Sequence, residues 1–253
     1  MVRTRRSLGR SPSFLIFFVV ALVLAVVIRG QYVDYYKGLE LPSGSLTLKT
    51  KLPEKPTPAT PAVAEKPPVT LPLKVPFTTQ APFALWDPLH EEACEEASLL
   101  MVYYYRTGQK FNSPLEADTE IKKLVAWEES NGYKVDLTVK ELVAVAGKYM
   151  KLKTGRVIVG PTVDQLKAEL MAGRPVIVPA AGRELHNPNF TAPGPIYHML
   201  VLKSYDETGF IVNDPGTRRG ENYHYGFKTI MDAMHDWDPD NILNGQKAVV
   251  VFD

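Results

Sequence analysis

The first strong pattern in the chain is an unbroken apolar run, FLIFFVVALVLAVVI, from Phe14 to Ile28. A helix on the surface of a soluble core alternates apolar and polar positions at a period near 3.6, and this run has no polar position. It predicts a membrane-directed segment. Arg3, Arg5, Arg6 and Arg10 precede it and Arg29 closes it, so the positive-inside rule keeps the amino terminus cytoplasmic. A full span uses ~20 residues. Ser11 to Ser13 extend the buried length here, and Arg29 can snorkel to the interface. No small-x-small cleavage site follows Ile28. A retained signal anchor over residues 1–30 is therefore expected in preference to a cleaved signal peptide. The rest of the chain would face the extracytoplasmic side of the cell membrane as a single-pass protein; cleavage would instead make it a secreted one.

From Lys51 to Lys74 the pattern turns to prolines (Pro53, Pro56, Pro58, Pro61, Pro67, Pro68 and Pro72) separated by Lys, Thr, Ala and Glu. Such a stretch cannot bury a core and populates polyproline II, at ~3.1 Å per residue. Residues 31–72 are expected to be a stalk. Residues 73–253 remain for one globular domain, long enough for a sizeable core.

Within that domain the helical period comes first. Glu92 to Arg106 aligns Ala93, Ala97, Leu100 and Tyr104, and Gly108 stops it. Pro114 to Glu128 aligns Leu115, Ile121, Leu124 and Val125. Thr138 with Glu141, and Thr162 with Gln165, have capping-box spacing and open two further helices, to about Met150 and Gly173. The period then shortens. Pro175 to Ala180, Met199 to Ser204, Phe210 to Asn213 and Lys247 to Phe252 read as strands, the middle two joined by the short Asp206–Gly209 connection. Helices followed by antiparallel strands predict an α+β fold.

Composition narrows the chemistry. The formal net charge of +1 over 253 residues offers nothing to a polyanion, so nucleic acid is not an expected partner. Cys94 is the only cysteine. It cannot form an internal disulfide, and in an exported chain a leftover thiol suggests intermolecular pairing or a reactive site. It falls near a predicted helix start, where the backbone dipole favours a thiolate. A lone cysteine is also commonly an inert small hydrophobe in a core. Glu91, Glu92, Glu95 and Glu96 suit the helix dipole as first-turn acids, and as like charges they would raise the thiol pKa.

Five histidines are candidates for a base. His90, His186, His224 and His235 fall in polar or loop contexts, whereas His198 opens the apolar strand HMLVL after a Pro/Gly-rich loop, where it could project from a sheet edge into a cleft. The next strand runs back, so Asn213-Asp214 returns beside His198 as an orienting group requires. Gln80 supplies a side-chain amide in the loop before Cys94, suited to a developing oxyanion. Asp-Pro-Gly after Asn213 is equally a good turn sequence. Asp236-Trp237-Asp238-Pro239-Asp240-Asn241 starts like a calcium loop but lacks its glycine and its final Glu, so a solvated acidic turn is expected. Asn189-Phe190-Thr191 fits a glycosylation sequon.

The segments VPFTTQAPFALWD, EEACEEASLLMVYYY, PVIVPA and HMLVLKSYDETGFIVNDPGT, spread over Val75 to Asp253, resemble the C39-like bacterial cysteine peptidases, which have a papain-like fold. The resemblance implies helices packed on an antiparallel sheet, with Cys94 as nucleophile, His198 as base, Asp214 as orienting acid and Gln80 as oxyanion donor. It implies no metal or organic cofactor. Better-known members carry a Gly-Cys-Gly-Pro-like turn where this chain has Ala-Cys-Glu-Glu. Members that trim leader peptides are typically fused to a transporter ATPase, and this chain has no Walker motif.

The expected function is a membrane-anchored cysteine peptidase acting on a peptide or protein, a monomer being assumed. A cell-wall peptide amidase or endopeptidase with the same triad, and an inactive binding domain of the same fold, are the alternatives.

Overall fold

The computed structural model describes residues 72–253. The expected anchor and all of the stalk but Pro72 lie outside these residues.

Strand β3 (Tyr197–Tyr205, YHMLVLKSY) is buried along its whole length. Because side chains alternate across a strand, β3 feeds two cores at once. Met199 and Val201 join one apolar cluster, and Leu200 and Leu202 join the other. A strand apolar on both faces needs cover on both, and the chain supplies helices to each. On the first face lie α2 (Cys94–Thr107), α3 (Pro114–Ser130) and α4 (Val139–Lys148), through Leu99, Ile121, Leu124 and Leu142. On the second lie α5 (Val163–Met171) and α6 (Phe227–Ala233), through Leu166, Leu170 and Ile230. A four-residue helix, α1 (Pro88–Glu91), precedes α2.

The sheet has six strands in the order β1-β6-β2-β3-β4-β5, all pairs antiparallel. The remaining strands are β1 (Gly155–Val159), β2 (Val176–Ala181), β4 (Gly209–Asn213), β5 (Tyr223–Gly226) and β6 (Ala248–Phe252). This is the α+β architecture that the periodicity predicts. Two strands go beyond the expectation: β1 falls between the two capping-box helices, and β5 follows the Asp214 loop. The order is thus less segregated than helices first and strands second.

Local signals explain most element ends. Thr138 with Glu141 and Thr162 with Gln165 form full capping boxes at α4 and α5, and Gly108 at φ 70° ends α2 in the left-handed conformation that glycine adopts without strain. Asp236 departs from expectation. It is buried rather than solvated, and its Oδ1 accepts the N–H of Val139 at 2.8 Å and of Trp237 at 2.9 Å, so it ties the start of α4 to the chain after α6. Among the described residues no cluster of His, Cys, Asp and Glu suited to a metal ion occurs.

Register decides what meets what at the end of the sheet. His198 pairs with Ala180 on β2, and Val201 pairs with Asn213 on β4, which brings the residue after Asn213 back alongside the start of β3.

Leu99 is fully buried in the core between α2 and the sheet. Leu99→Ala should lower unfolding free energy by about 2–5 kcal/mol, the usual cost of such a cavity, read as a lower urea midpoint.

Candidate active site

A cleft of about 1210 Å³ opens at this end of the sheet, and Gln80, Cys94, His198 and Gly216 all line it. Cys94 is the first residue of α2. Its sulfur accepts the backbone N–H of Met199 at 3.3 Å, so the start of the helix is fastened to the strand residue next to His198. The thiol itself donates to Glu95 Oε2 at 2.9 Å. Among the described residues no hydrogen bond joins the sulfur to His198. Burial and the neighbouring Glu95 carboxylate push the Cys94 thiol well above its ordinary range.

His198 is not at a sheet edge. β3 is an interior strand and the imidazole is 1% exposed. Its Nε2 lies 2.8 Å from Asp214 Oδ1, which leaves Nδ1 as the ring nitrogen free to exchange a proton. Phe190 packs edge-on against the ring, centroid to centroid 5.2 Å. Gly216 lies beneath it. A Cβ there would come within 2.8 Å of both His198 Cε1 and Phe190 Cε1, so only glycine lets this loop approach the ring.

Asp214 is completely buried, yet its carboxyl is held below the usual carboxylate range. Desolvation alone would raise it, and the adjacent imidazole and the hydrogen-bond donors outweigh that effect. Besides His198, Oδ1 accepts the N–H of Gly216 at 2.9 Å, while Oδ2 accepts Tyr225 Oη at 2.7 Å and Asn187 Nδ2 at 3.2 Å. Asn187 also donates to Tyr225 Oη at 2.7 Å. Sequence reasoning missed Tyr225 and Asn187. Tyr225 sits on the unforeseen β5 and Asn187 in a loop with no period, so neither had a local signal.

Gln80 joins the two halves of the site. Its backbone N–H reaches Pro215 O at 3.0 Å, and its side-chain nitrogen donates to His90 O and Glu91 O, each at 2.9 Å. Its Oε1 has no partner. The amide therefore braces the turn that leads into Cys94, with both of its hydrogens engaged. His90 braces the same turn from behind. It is buried in α1 rather than in an open loop, with Nδ1 2.8 Å from Asp87 Oδ1 and Nε2 2.9 Å from Asp118 Oδ1 on α3. The other histidines lie elsewhere: His224 is exposed beside Thr208, His186 is exposed after β2, and His235 contacts Gly245 O.

The acids around Cys94 are not all solvated first-turn charges. Glu91 and Glu92 are exposed, but Glu95 and Glu96 are 1% and 4% exposed. Glu96 pairs with Glu128 of α3 carboxyl to carboxyl, and burial beside Glu96 lifts Glu128 to about 11. Two buried carboxylates cannot both ionise side by side, so the pair holds a proton. The amphipathic pattern hid this, because an acid at a first turn reads as a surface residue.

The model of the Peptidase_C39 like family matches residues 72–240, two thirds of the chain. The chain belongs to that family. The matched span contains every residue of the cleft named above, and β6 lies beyond it. Membership in the Peptidase_C39 like family supports a peptidase-type activity. A solved structure assigned as a C39-like peptidase from Bacillus anthracis is similar at 16% identity with a TM-score of 0.49, over 73% of this chain and 96% of that one. No curated protein matches the chain.

The carboxyl pair between α2 and α3 makes stability depend on pH. Unfolded glutamates ionise near pH ~4.3, whereas folded Glu128 keeps its proton to about 11. The pair's contribution is thus fully present below the unfolded value and is lost as pH rises toward the folded one. Glu128→Gln removes the need to take up that proton. It should raise stability at pH 8 by about 1–3 kcal/mol and give little gain at pH 4, as urea unfolding at the two pH values will report.

Proposed function

We propose that this protein is a membrane-anchored cysteine peptidase whose domain works outside the cytoplasm, with Cys94 as nucleophile, His198 as acid–base group and Asp214 as its orienter. The observation that carries the reading is the His198–Asp214 pair at 2.8 Å in the same cleft as the lone thiol, whose sulfur is held by the residue next to His198.

The parts suit acyl transfer. The sulfur attacks a peptide carbonyl and forms a thioester, His198 moves protons to the leaving amine and from water, and Asp214 fixes the imidazole through Nε2 so that Nδ1 faces the chemistry. The Cys94 backbone N–H, at the open end of α2, is one donor for the oxyanion. Gln80 becomes the second by exchanging one of its backbone carbonyl acceptors for the oxyanion. The substrate is a peptide or protein strand laid along the cleft, and the chemistry calls for no metal or organic cofactor. The apolar run from Phe14 to Ile28, with its arginines, supports the anchor.

A second reading has a specific observation behind it. A thiol buried and bonded to Glu95 suits an inactive binding domain of the same fold. Hydrolysis separates the two. Full-length protein should cleave an unstructured protein substrate, and Cys94→Ser or His198→Ala should each lower the rate by at least about 100-fold. Cleavage unchanged in Cys94→Ser would overturn the peptidase reading. Release of fragments from purified peptidoglycan, with no protein cleavage, would move the substrate to the cell wall. For the anchor, the full chain expressed in a bacterium should stay with membranes after an alkaline carbonate wash. Its recovery in the soluble fraction would remove the anchor from the reading.

A further inference from the structure

The carboxylate closest to the thiol has no role in the chemistry so far. Glu95 Oε2 is the acceptor of the Cys94 S–H at 2.9 Å, and Oε1 accepts the Leu137 N–H at 3.2 Å. The Leu137 carbonyl in turn accepts Tyr197 Oη at 2.8 Å, and Tyr197 precedes His198 on β3. Glu95 is thus clamped between the nucleophile and a backbone that is itself tied to the base strand. On its other side the sulfur receives the Met199 N–H. This is a donor that a thiolate uses better than a thiol. One neighbour of the sulfur is built to hold a proton and the other to hold negative charge on sulfur.

We propose that Glu95 is a catalytic residue of this site, the acceptor of the Cys94 thiol proton, with His198 left free to serve the amine and the water. The proposal rests on the peptidase reading. The cycle starts with Glu95 ionised, Cys94 as a thiol and His198 protonated on both ring nitrogens. In acylation the S–H bond breaks and the proton passes to Glu95 Oε2. The sulfur pair forms the bond to the carbonyl carbon, the C–N bond breaks, and the amine leaves with the proton from His198 Nδ1. In deacylation water gives a proton to Nδ1 and its oxygen bonds the acyl carbon. The C–S bond then breaks, and the departing sulfur recovers its proton from Glu95. Amide and water become acid and amine, and every group returns to its starting state.

The surroundings suit a carboxyl that gains a proton. Burial and the charge of Glu96 raise the proton affinity of Glu95, which favours the protonated form reached in acylation. The Cys94 S–H and the Leu137 N–H favour the ionised form in which the cycle starts. The titratable groups around it are Cys94 and Glu96 on α2, Glu128 on α3 and Tyr197 on β3. None of these is a cation that would hold Glu95 permanently ionised. His198 keeps its contact with Asp214 throughout.

The test turns on a sign. If Glu95 acts only as a like charge, removing that charge eases thiolate formation and speeds alkylation of Cys94; if it takes the proton, alkylation slows. Iodoacetamide labelling of Cys94 in the full chain is followed from pH 5 to 10 in wild type, Glu95→Gln and Glu95→Asp. Glutamine keeps an acceptor for the Leu137 N–H, and aspartate keeps the charge while withdrawing it from the sulfur. The expected result is labelling at pH 7 at least about tenfold slower in both variants. Wild type should show a pH-independent limb that is absent in Glu95→Gln. Labelling of Glu95→Gln at or above the wild-type rate overturns the proposal. If glutamine prevents folding, judged by circular dichroism, Glu95→Asp labelled at the wild-type rate overturns it equally. Labelling needs no substrate. Slow variants in a protein that hydrolyses no peptide would condemn the peptidase reading and leave proton transfer to Glu95 standing.

Discussion

A fully buried carboxylate is costly unless donors surround it, and the arrangement of this domain's working end follows from meeting that requirement at Asp214. Its four hydrogen bonds come from β3, β5, the loop after β2 and its own following turn. No one of these elements could satisfy it alone. The same four bonds that keep the group ionised therefore fix the positions of His198, Tyr225, Asn187 and Gly216 relative to one another. The imidazole inherits its orientation from that set, and Phe190 and Gly216 close the space around it.

Near Cys94 the logic is reversed. Three buried carboxyls, Glu95, Glu96 and Glu128, crowd together there. Glu95 leans on the thiol and on Leu137 N–H, and Glu96 and Glu128 meet side by side. Asp214, a carboxylate held charged, thus contrasts with the Glu96–Glu128 pair, which holds a proton. That contrast, set by the donors around Asp214 and by burial and like charge at Glu96 and Glu128, gives the domain's buried acids different proton affinities.

What the sequence made legible was local, or joined by a single short turn. The capping boxes at Thr138 and Thr162 and the stop at Gly108 are read from a few adjacent residues, and the structure has helices bounded there. Asp214 falls beside His198 because one tight connection links their strands, so the pairing could be inferred without knowing the rest of the sheet. Long-range context was not legible. Strands β1 and β5 lie at the two margins of the sheet and are only partly buried, so neither carries the fully buried apolar face of the strands between them. Glu95 and Glu96 obey the rule for first-turn acids and yet are buried, because the Leu137 segment and α3 close over them. His90 looked like a loop residue, and its burial depends on Asp118, 28 positions away. Gln80 was expected to offer its amide to an oxyanion, but the fold has engaged that amide with two carbonyls. Propensity describes one segment, whereas burial is decided by whichever other segment arrives.

The contact between Cys94 and Met199 spans 105 positions of sequence. During synthesis the helix that carries the thiol emerges well before the strand that carries the imidazole, and contacts of such separation are the slow ones to form. A growing or half-folded chain therefore presents a sulfur without its partner strand. The cleft is assembled late in folding, so a chain still being made carries the ingredients of the site without the site itself.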